Sequence, residues 1–226
     1  MGKISDNYKK IRDSIKDDIT IVVATKTRTV DEIIETIEAG ARHIGENYVY
    51  PEAAEKYEEL GDLAMKVKWH LIGHLQSNKI NKALPIFDLI QTVDSPEKAV
   101  EIDKRVENAG KIFVPVLLEI NSGKEKAKSG FMPVIKGIKE TLIKMEELKH
   151  IEIRGLMTMG PVAGNPTDAR KYFTLTRKIF EKLKDVDTIN SKMEILSMGM
   201  SNSYKVAIEE GSNMVRIGSL IFGERE

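Results

Sequence analysis

The chain has 226 residues, of which 41% are apolar and 31% are charged, and it contains no cysteine. The absence of cysteine excludes a disulfide scaffold, thiolate metal ligands and a cysteine nucleophile. The 35 basic and 35 acidic residues give a net charge of zero, whereas a constitutive nucleic-acid binder needs a basic excess. The N-terminus lacks an apolar signal core, and the longest apolar stretch, 112–118, is too short to span a bilayer. We therefore expect a cytoplasmic protein that contacts neither membrane nor nucleic acid.

Short apolar runs alternate with amphipathic stretches along the whole chain. The spacing predicts an N-terminal helix over 4–16, followed by strands at 19–24, 42–44, 67–72, 89–92, 112–120, 151–155, 194–197 and 214–217. The helices predicted between and after these strands cover 30–39, 51–60, 77–83, 96–109, 133–148, 167–183 and 203–210.

Alternating strands and helices of this kind predict a parallel sheet covered by helices. Eight strands favour closure into a (β/α)8 TIM barrel, with the first helix as an addition before strand 1. We expect a single domain over residues 1–226, because no linker or low-complexity tract divides the chain. An open, doubly wound sheet is the structural alternative.

In a TIM barrel the functional groups gather at the C-terminal ends of the strands. Lys26 follows strand 1, and since burying a lone ammonium is costly, a lysine there indicates a role. A lysine that loses its proton is a nucleophile towards aldehydes, although a solvated lysine at a strand end is the ordinary alternative. Asn47 follows strand 2, where it either orients a ligand or forms a turn.

The loops after strands 7 and 8 often bind phosphate in TIM barrels. Here they carry Ser201, within Met-Gly-Met-Ser, and the pair Gly218 and Ser219. Glycine lets backbone N–H groups approach an anion and serine adds a donor, but two plain helix caps would look the same. Arg216 ends strand 8 and faces either a carboxylate or a ligand. Closure brings strand 1 beside strand 8, so a phosphorylated aldehyde would match Lys26 and these loops.

Seven motifs occur in an order that resembles a known family. They are Val-Val-Ala-Thr-Lys-Thr (22–27), His-Ile-Gly-Glu-Asn-Tyr-Val (43–49), Trp-His-Leu-Ile-Gly-His-Leu-Gln-Ser-Asn-Lys (69–79), Lys-Ser-Gly (128–130), Gly-Leu-Met-Thr-Met (155–159), Leu-Ser-Met-Gly-Met-Ser (196–201) and Arg-Ile-Gly (216–218). Together they strongly resemble the pyridoxal phosphate homeostasis proteins, the YggS/PROSC family, over almost the whole chain. Two departures are Tyr50-Pro51-Glu52, where the family usually continues with Gln-Glu, and Ser219, which replaces a common threonine.

The resemblance implies a single barrel like the N-terminal domain of alanine racemase. It also implies that pyridoxal 5'-phosphate (PLP) is the cofactor and is held as a Schiff base on a lysine. The cofactor-binding residues implied in this way are Lys26, Asn47, Ser201, Arg216, Gly218 and Ser219. Ser201, Gly218 and Ser219 would hold the phosphate, Arg216 would lie near the pyridine nitrogen, and Asn47 would line the pocket. Lys128 matches a family lysine near the mouth and is not expected to be a ligand.

The predicted function is PLP homeostasis, in which the protein holds PLP and releases it reversibly without robust catalytic turnover. An arginine near the ring nitrogen disfavours its protonation and weakens the ring as an electron sink. The chain ends after the eighth barrel unit, so we expect no C-terminal β domain of the kind that supplies a catalytic tyrosine in alanine racemase-like enzymes. We expect a monomer with neither catalytic residues nor a metal, and PLP-dependent apoenzymes are candidate recipients.

Two enzyme alternatives stay open. A PLP-dependent amino-acid racemase would pair Lys26 with a second proton carrier, for which the candidates are His43, His70, His74 and Tyr204. A metal-dependent hydrolase would use His70 and His74, but a strand-to-loop segment would not put both on one helical face. The basic residues Lys124, Lys126 and Lys128 are interpreted as a solvated loop.

Overall fold

The computed structural model describes residues 2–125, 129–160 and 165–224. Eight parallel strands follow one another around a closed barrel in chain order. Closure is made by β1 against β8, in a register that pairs Thr20 with Met214 and Val23 with Ile217. The prediction of a (β/α)8 barrel is confirmed, and because the first and last strands are hydrogen-bonded, the open-sheet alternative is wrong.

The eight strands correspond to the eight predicted apolar runs. They are β1 Thr20–Ala24, β2 His43–Glu46, β3 Lys68–Leu71, β4 Leu89–Val93, β5 Val114–Glu119, β6 Ile151–Thr158, β7 Ser191–Met200 and β8 Met214–Ile217. Most strand boundaries differ from the prediction by one to three residues. β5 begins two residues later than predicted, because Ile112 and Phe113 are exposed rather than paired. β6 and β7 are longer than predicted, because they hydrogen-bond to each other through the polar and glycine positions that ended the apolar runs.

The helices lie between and around these strands. They are α1 Lys3–Asp13, α2 Val30–Glu38, α3 Ala54–Leu60, α4 Ile80–Ala83, α5 Pro96–Asn108, α6 Ile135–Lys144, α7 Arg170–Leu183, α8 Tyr204–Glu209 and α9 Ser219–Phe222. The predicted helix before strand 1 is present as α1, and Asn7 ties it to α9 by donating to Ile221 O at 2.9 Å. No helix in the described part of the chain is long and apolar enough to cross a membrane.

Helix starts agree with the sequence where a capping residue marks them. Thr29 accepts from the amide of Glu32, and the Glu32 carboxylate accepts from the amide of Thr29, which forms a capping box. Pro51 lies in a short helical segment, Val49–Ala53, in which only Tyr50 is extended. Helical backbone therefore begins at Pro51, as predicted, and continues into the regular helix α3 from Ala54.

The barrel has two packing layers. The larger one lies between strands and helices and includes the fully buried Trp69 and Phe173. A smaller cluster, which includes Val22, Leu117 and Met157, lies inside the barrel. Because strand side chains alternate in direction, inward positions nearer the mouth are free to carry polar groups.

Candidate functional site

A cavity of about 360 Å³ opens at the C-terminal mouth of the barrel, within the usual size of small-molecule sites. It is lined by residues at or just after the C-terminal ends of β1, β2, β7 and β8, together with Ile72 and Met159. The structure brings all the sequence-predicted site residues to this one cavity, and they are Lys26, Asn47, Ser201, Arg216, Gly218 and Ser219.

Lys26 lies in the turn after β1, two residues beyond the last strand residue, Ala24. The turn is closed by a hydrogen bond of 3.0 Å from the amide of Arg28 to the carbonyl of Thr25. Thr27 has a φ of +64°, a left-handed conformation that costs free energy for a β-branched residue. The lysine is half-buried and lines the cavity.

Asn47 occupies the corresponding position after β2. Its backbone lies against Gly73, where an added Cβ would come within 2.3 Å of the Asn47 carbonyl oxygen. The glycine therefore allows the loops after β2 and β3 to approach closely enough for Asn47 to reach the cavity wall.

The loops after β7 and β8 are joined through one hydroxyl group. Ser201 Oγ accepts from the amide of Gly218 at 3.2 Å and from the amide of Leu220 at 3.4 Å. An added Cβ at Gly218 would lie 3.2 Å from the Ala24 carbonyl oxygen, so glycine suits the close approach of this loop to β1. Within the described part of the chain, no hydrogen bond is recorded for the amides of Asn202 and Ser219, which leaves two donors at the cavity wall.

Arg216 is 3% exposed and is held by neutral groups. Its Nη1 donates to Ser197 Oγ at 2.6 Å, and its Nη2 donates to the carbonyl of Thr158 at 2.8 Å. Burial lowers the pKa of Arg216 to about 10, although nearby Glu119 opposes that shift. The guanidinium therefore keeps its charge at neutral pH, and no direct ion pair to it is recorded among residues 2–125, 129–160 and 165–224.

The polar partners of Arg216 were missed by the sequence interpretation. Gln91 accepts from Ser197 Oγ at 2.7 Å, and its amide nitrogen lies 2.9 Å from His70 Nδ1. His70 Nε2 lies 2.9 Å from His43 Nδ1. An amide nitrogen only donates, so His70 accepts at Nδ1, carries its proton on Nε2 and donates to His43. The only available signal was a polar residue at the inward position of several apolar strands.

The proton carriers considered for a racemase do not line this cavity. Burial, with smaller contributions from His43 and Lys68, lowers the pKa of His70 to about 3. His74 pairs with Asp94 at 3.2 Å, and Tyr204 is buried.

The remaining sequence-based candidates are the metal site and the basic loop that carries Lys124. No group of three or more potential metal-ligating side chains occurs in the described residues. Lys124 is exposed, whereas Lys126 and Lys128 lie outside the described residues.

A second cavity of about 270 Å³ adjoins the first and shares Met159 with it. Glu119, at the end of β5, contributes a carboxyl group to it. Burial raises the pKa of Glu119 to about 7, with a further contribution from Asp94 and an opposing one from Arg216. The mouth of the barrel thus holds a carboxyl group that exchanges its proton near neutral pH.

The barrel and its cavity define a class of (β/α)8 proteins in which a lysine, an arginine and two glycine–serine loops meet at one mouth. The family model described as "Alanine racemase, N-terminal domain" matches residues 1–226. A curated relative from Aquifex aeolicus, named pyridoxal phosphate homeostasis protein, is 40% identical over 203 residues, covering 90% of this chain and 86% of the relative. The chain belongs to the pyridoxal phosphate homeostasis protein family, which shares the alanine racemase N-terminal barrel.

Solved structures agree with this assignment. PipY of Synechococcus elongatus PCC7942, described with PLP bound, matches with a TM-score of 0.86 and 31% identity, covering 97% of this chain and 100% of that one. Alanine racemase of Clostridium difficile 630 matches with a TM-score of 0.81 at 18% identity, covering 99% of this chain and 57% of the racemase. The second likeness shows the fold alone.

Proposed function

We propose that the protein binds PLP in the 360 Å³ cavity and takes part in PLP homeostasis. The observation that carries the proposal is the convergence of Lys26, Ser201 and Arg216 on that single cavity. The names of the relatives and the PLP-bound structure of PipY support it.

The residues present fit the chemical groups of PLP. The phosphate needs several donors, which the free amides of Asn202 and Ser219 and the hydroxyl groups of Ser201 and Ser219 supply. The helices that follow have only six and four residues, so local amide and hydroxyl donors, rather than a long helix dipole, hold the anion. When bound, PLP supplies an aldehyde that condenses with a primary amine and a ring that withdraws electrons.

Lys26 is the primary amine at the cavity wall. Lys26 would hold PLP through its Nζ, because a primary amine condenses with an aldehyde with loss of water. Hydrolysis would return the free amine and the aldehyde, so Lys26 would hold the aldehyde reversibly and keep the free concentration of a reactive compound low.

Arg216 makes the site poorly suited to catalysis on amino acids. A guanidinium that keeps its charge would disfavour protonation of the ring nitrogen of PLP, if that nitrogen lies beside it as the family resemblance implies. An unprotonated ring is a weaker electron sink, so the arrangement suits holding and releasing PLP better than chemistry on an amino acid. We accordingly propose a carrier or regulator without robust turnover.

The assembly and the setting follow as parts of the same proposal. We propose one domain over residues 1–226 that acts as a cytoplasmic monomer and delivers PLP to PLP-dependent apoenzymes. Light scattering after gel filtration tests the monomer. Activation of a PLP-free apoenzyme by the loaded protein, measured beside an equal concentration of free PLP, tests delivery.

The proposal is tested by the absorbance of the purified protein with PLP, before and after borohydride reduction, followed by mass spectrometry of the Lys26 peptide. Lys26→Ala should abolish the absorbance of the lysine–PLP bond and the reduced adduct. Lys68→Ala is the control, because Lys68 is exposed at the start of β3, at the opposite end of the barrel. Full absorbance in Lys26→Ala would show that another residue holds the cofactor, and rapid racemisation of any common amino acid would overturn the carrier role.

A further inference from the structure

The turn that carries Lys26 is held on both sides by a network of charged side chains, two of which are buried. The network consists of Lys56 from α3, Glu46 from the end of β2 and Glu52 from the segment between them, and it is called the Lys56 network below. None of its three members lines the 360 Å³ cavity.

Lys56 is at the centre of the network. Its side chain is 10% exposed, and its Nζ donates to the Thr25 carbonyl at 2.8 Å, to Glu46 Oε1 at 2.8 Å and to Glu52 Oε1 at 2.9 Å. A lysine ammonium has three donor hydrogens, so these three bonds use all of them. One of the three is made directly to the residue that precedes Lys26.

Glu46 also holds Thr25, through the hydroxyl group of the Thr25 side chain. Its Oε1 accepts from Thr25 Oγ1 at 2.6 Å, and its side chain is fully buried. Glu46 Oε2 has no hydrogen-bond partner in the described part of the chain. Burial raises the pKa of Glu46, and the charge of Lys56 is the largest influence that opposes this. The buried carboxylate therefore depends on Lys56 to keep its charge.

Glu52 holds the other side of the turn. Its Oε1 accepts from the backbone amide of Thr27 as well as from Lys56. Thr27 is the residue with the left-handed φ of +64°, so its amide is fixed at the point where the backbone is least favourable. Lys26 thus lies between two residues that are both bonded to one charged network.

We propose that Lys56 is a positioning residue for Lys26. Through Glu46 and Glu52, Lys56 fixes the backbone of the turn. The fixed backbone sets the direction in which the Lys26 side chain leaves the turn at the cavity wall. This inference rests on the proposed function, in which Lys26 bonds to PLP. Correct alignment of an amine with its target raises the rate of reaction, so loss of the network should slow bond formation more than it weakens binding of the phosphate.

The experiment compares three variants with the wild type. Lys56→Met keeps the apolar stem and removes the charge. Lys56→Met/Glu46→Gln also removes the carboxylate that would be left buried, so one folded variant is available if the single variant fails to fold. Lys98→Met is the matched control, because Lys98 is 11% exposed in its side chain and pairs with Glu101 at 3.1 Å, away from the turn.

Two PLP-based measurements separate positioning from general damage. The first is the rate of lysine–PLP bond formation, followed by absorbance. The second is the affinity for pyridoxine 5'-phosphate, which has an alcohol in place of the aldehyde and cannot form that bond. We expect the rate to fall at least tenfold in both Lys56 variants, while affinity for the alcohol changes less than threefold and Lys98→Met matches the wild type. An unchanged rate, or an equal loss of both quantities, would overturn the inference.

A third measurement does not need PLP. Hydrogen exchange of the backbone amides of Thr27 and Arg28 reports directly on the turn, and it should be at least tenfold faster in the Lys56 variants. Exchange of Val22 and Val23 within β1 should stay as in the wild type. If the wild type forms no bond with PLP, the proposed function fails, and hydrogen exchange still decides whether Lys56 holds the turn; unchanged exchange at Thr27 and Arg28 refutes it.

Discussion

Acid should destabilise this protein through a buried histidine inside the barrel. His70 is buried between Gln91 and His43, accepts at Nδ1 and donates at Nε2. Both ring nitrogens are therefore used by a neutral ring, and a second proton would break the bond from Gln91. Burial is the largest reason that the pKa of His70 falls to about 3.

The direction of the effect follows from proton uptake. Between pH 6.5 and pH 3 the unfolded chain binds a proton at this histidine and the folded chain does not, so stability falls as the pH falls. From a pKa of about 3 in the folded state and about 6.5 in the unfolded state, the loss between pH 7 and pH 5 is about 2 kcal/mol. His43, whose pKa is also lowered by burial, acts in the same direction.

The assay is urea unfolding at pH 7 and pH 5, followed by circular dichroism, for the wild type and for His70→Gln. Glutamine is neutral at both pH values, so the variant should lose about 2 kcal/mol less than the wild type between them, even though it is less stable at pH 7. His150→Gln, at a partly exposed histidine, is the control for loss of a histidine outside the barrel interior. If the wild type and His70→Gln lose the same free energy to within about 0.5 kcal/mol, the reasoning about His70 is refuted.

Two further substitutions test the barrel interior and the strand register. Ser197→Ala removes the acceptor of Arg216 Nη1 and should cost about 1–3 kcal/mol in urea unfolding, because a buried charged donor loses a partner; an unchanged free energy of unfolding would contradict this. Gly155→Ala would bring a Cβ within 1.9 Å of the Ile195 carbonyl oxygen and should cost about 3 kcal/mol or more. Gly110→Ala places alanine at a φ of +67° with open space around it and should cost only about 1–2 kcal/mol. Equal losses in the two alanine variants would show that the close strand contact is not the cause.

The order of strands and helices could be read from the sequence because burial repeats along the chain. Each strand of the barrel buries a run of apolar residues, and the helices bury one face, so both leave a periodic pattern. The sequence also predicts which residues lie at the mouth, because the C-terminal ends of all parallel strands lie at the same end of the barrel. For that reason Lys26, Ser201 and Arg216 could be predicted to share one end of the barrel, and the structure places them in one cavity.

The exact ends of strands were less readable. β6 continues through Gly155, which pairs with Ile195 although it has no side chain to mark the strand. This boundary depends on hydrogen bonds to the neighbouring strand, which no local pattern records.

The side-chain partners at the site were decided by tertiary structure alone. Lys56 is 30 residues from Lys26 and looks like an ordinary helix lysine, yet it bonds to the residue beside Lys26. Arg216 on β8 donates a hydrogen bond to Ser197 on the neighbouring strand β7. Which inward residues meet depends on the stagger between strands when the barrel closes. The sequence by itself therefore determined the barrel and the end at which its functional groups gather. Closure of the barrel determined which side chains hold the functional groups in place. The choice of partners depends on the register between strands, which no single segment of the sequence encodes.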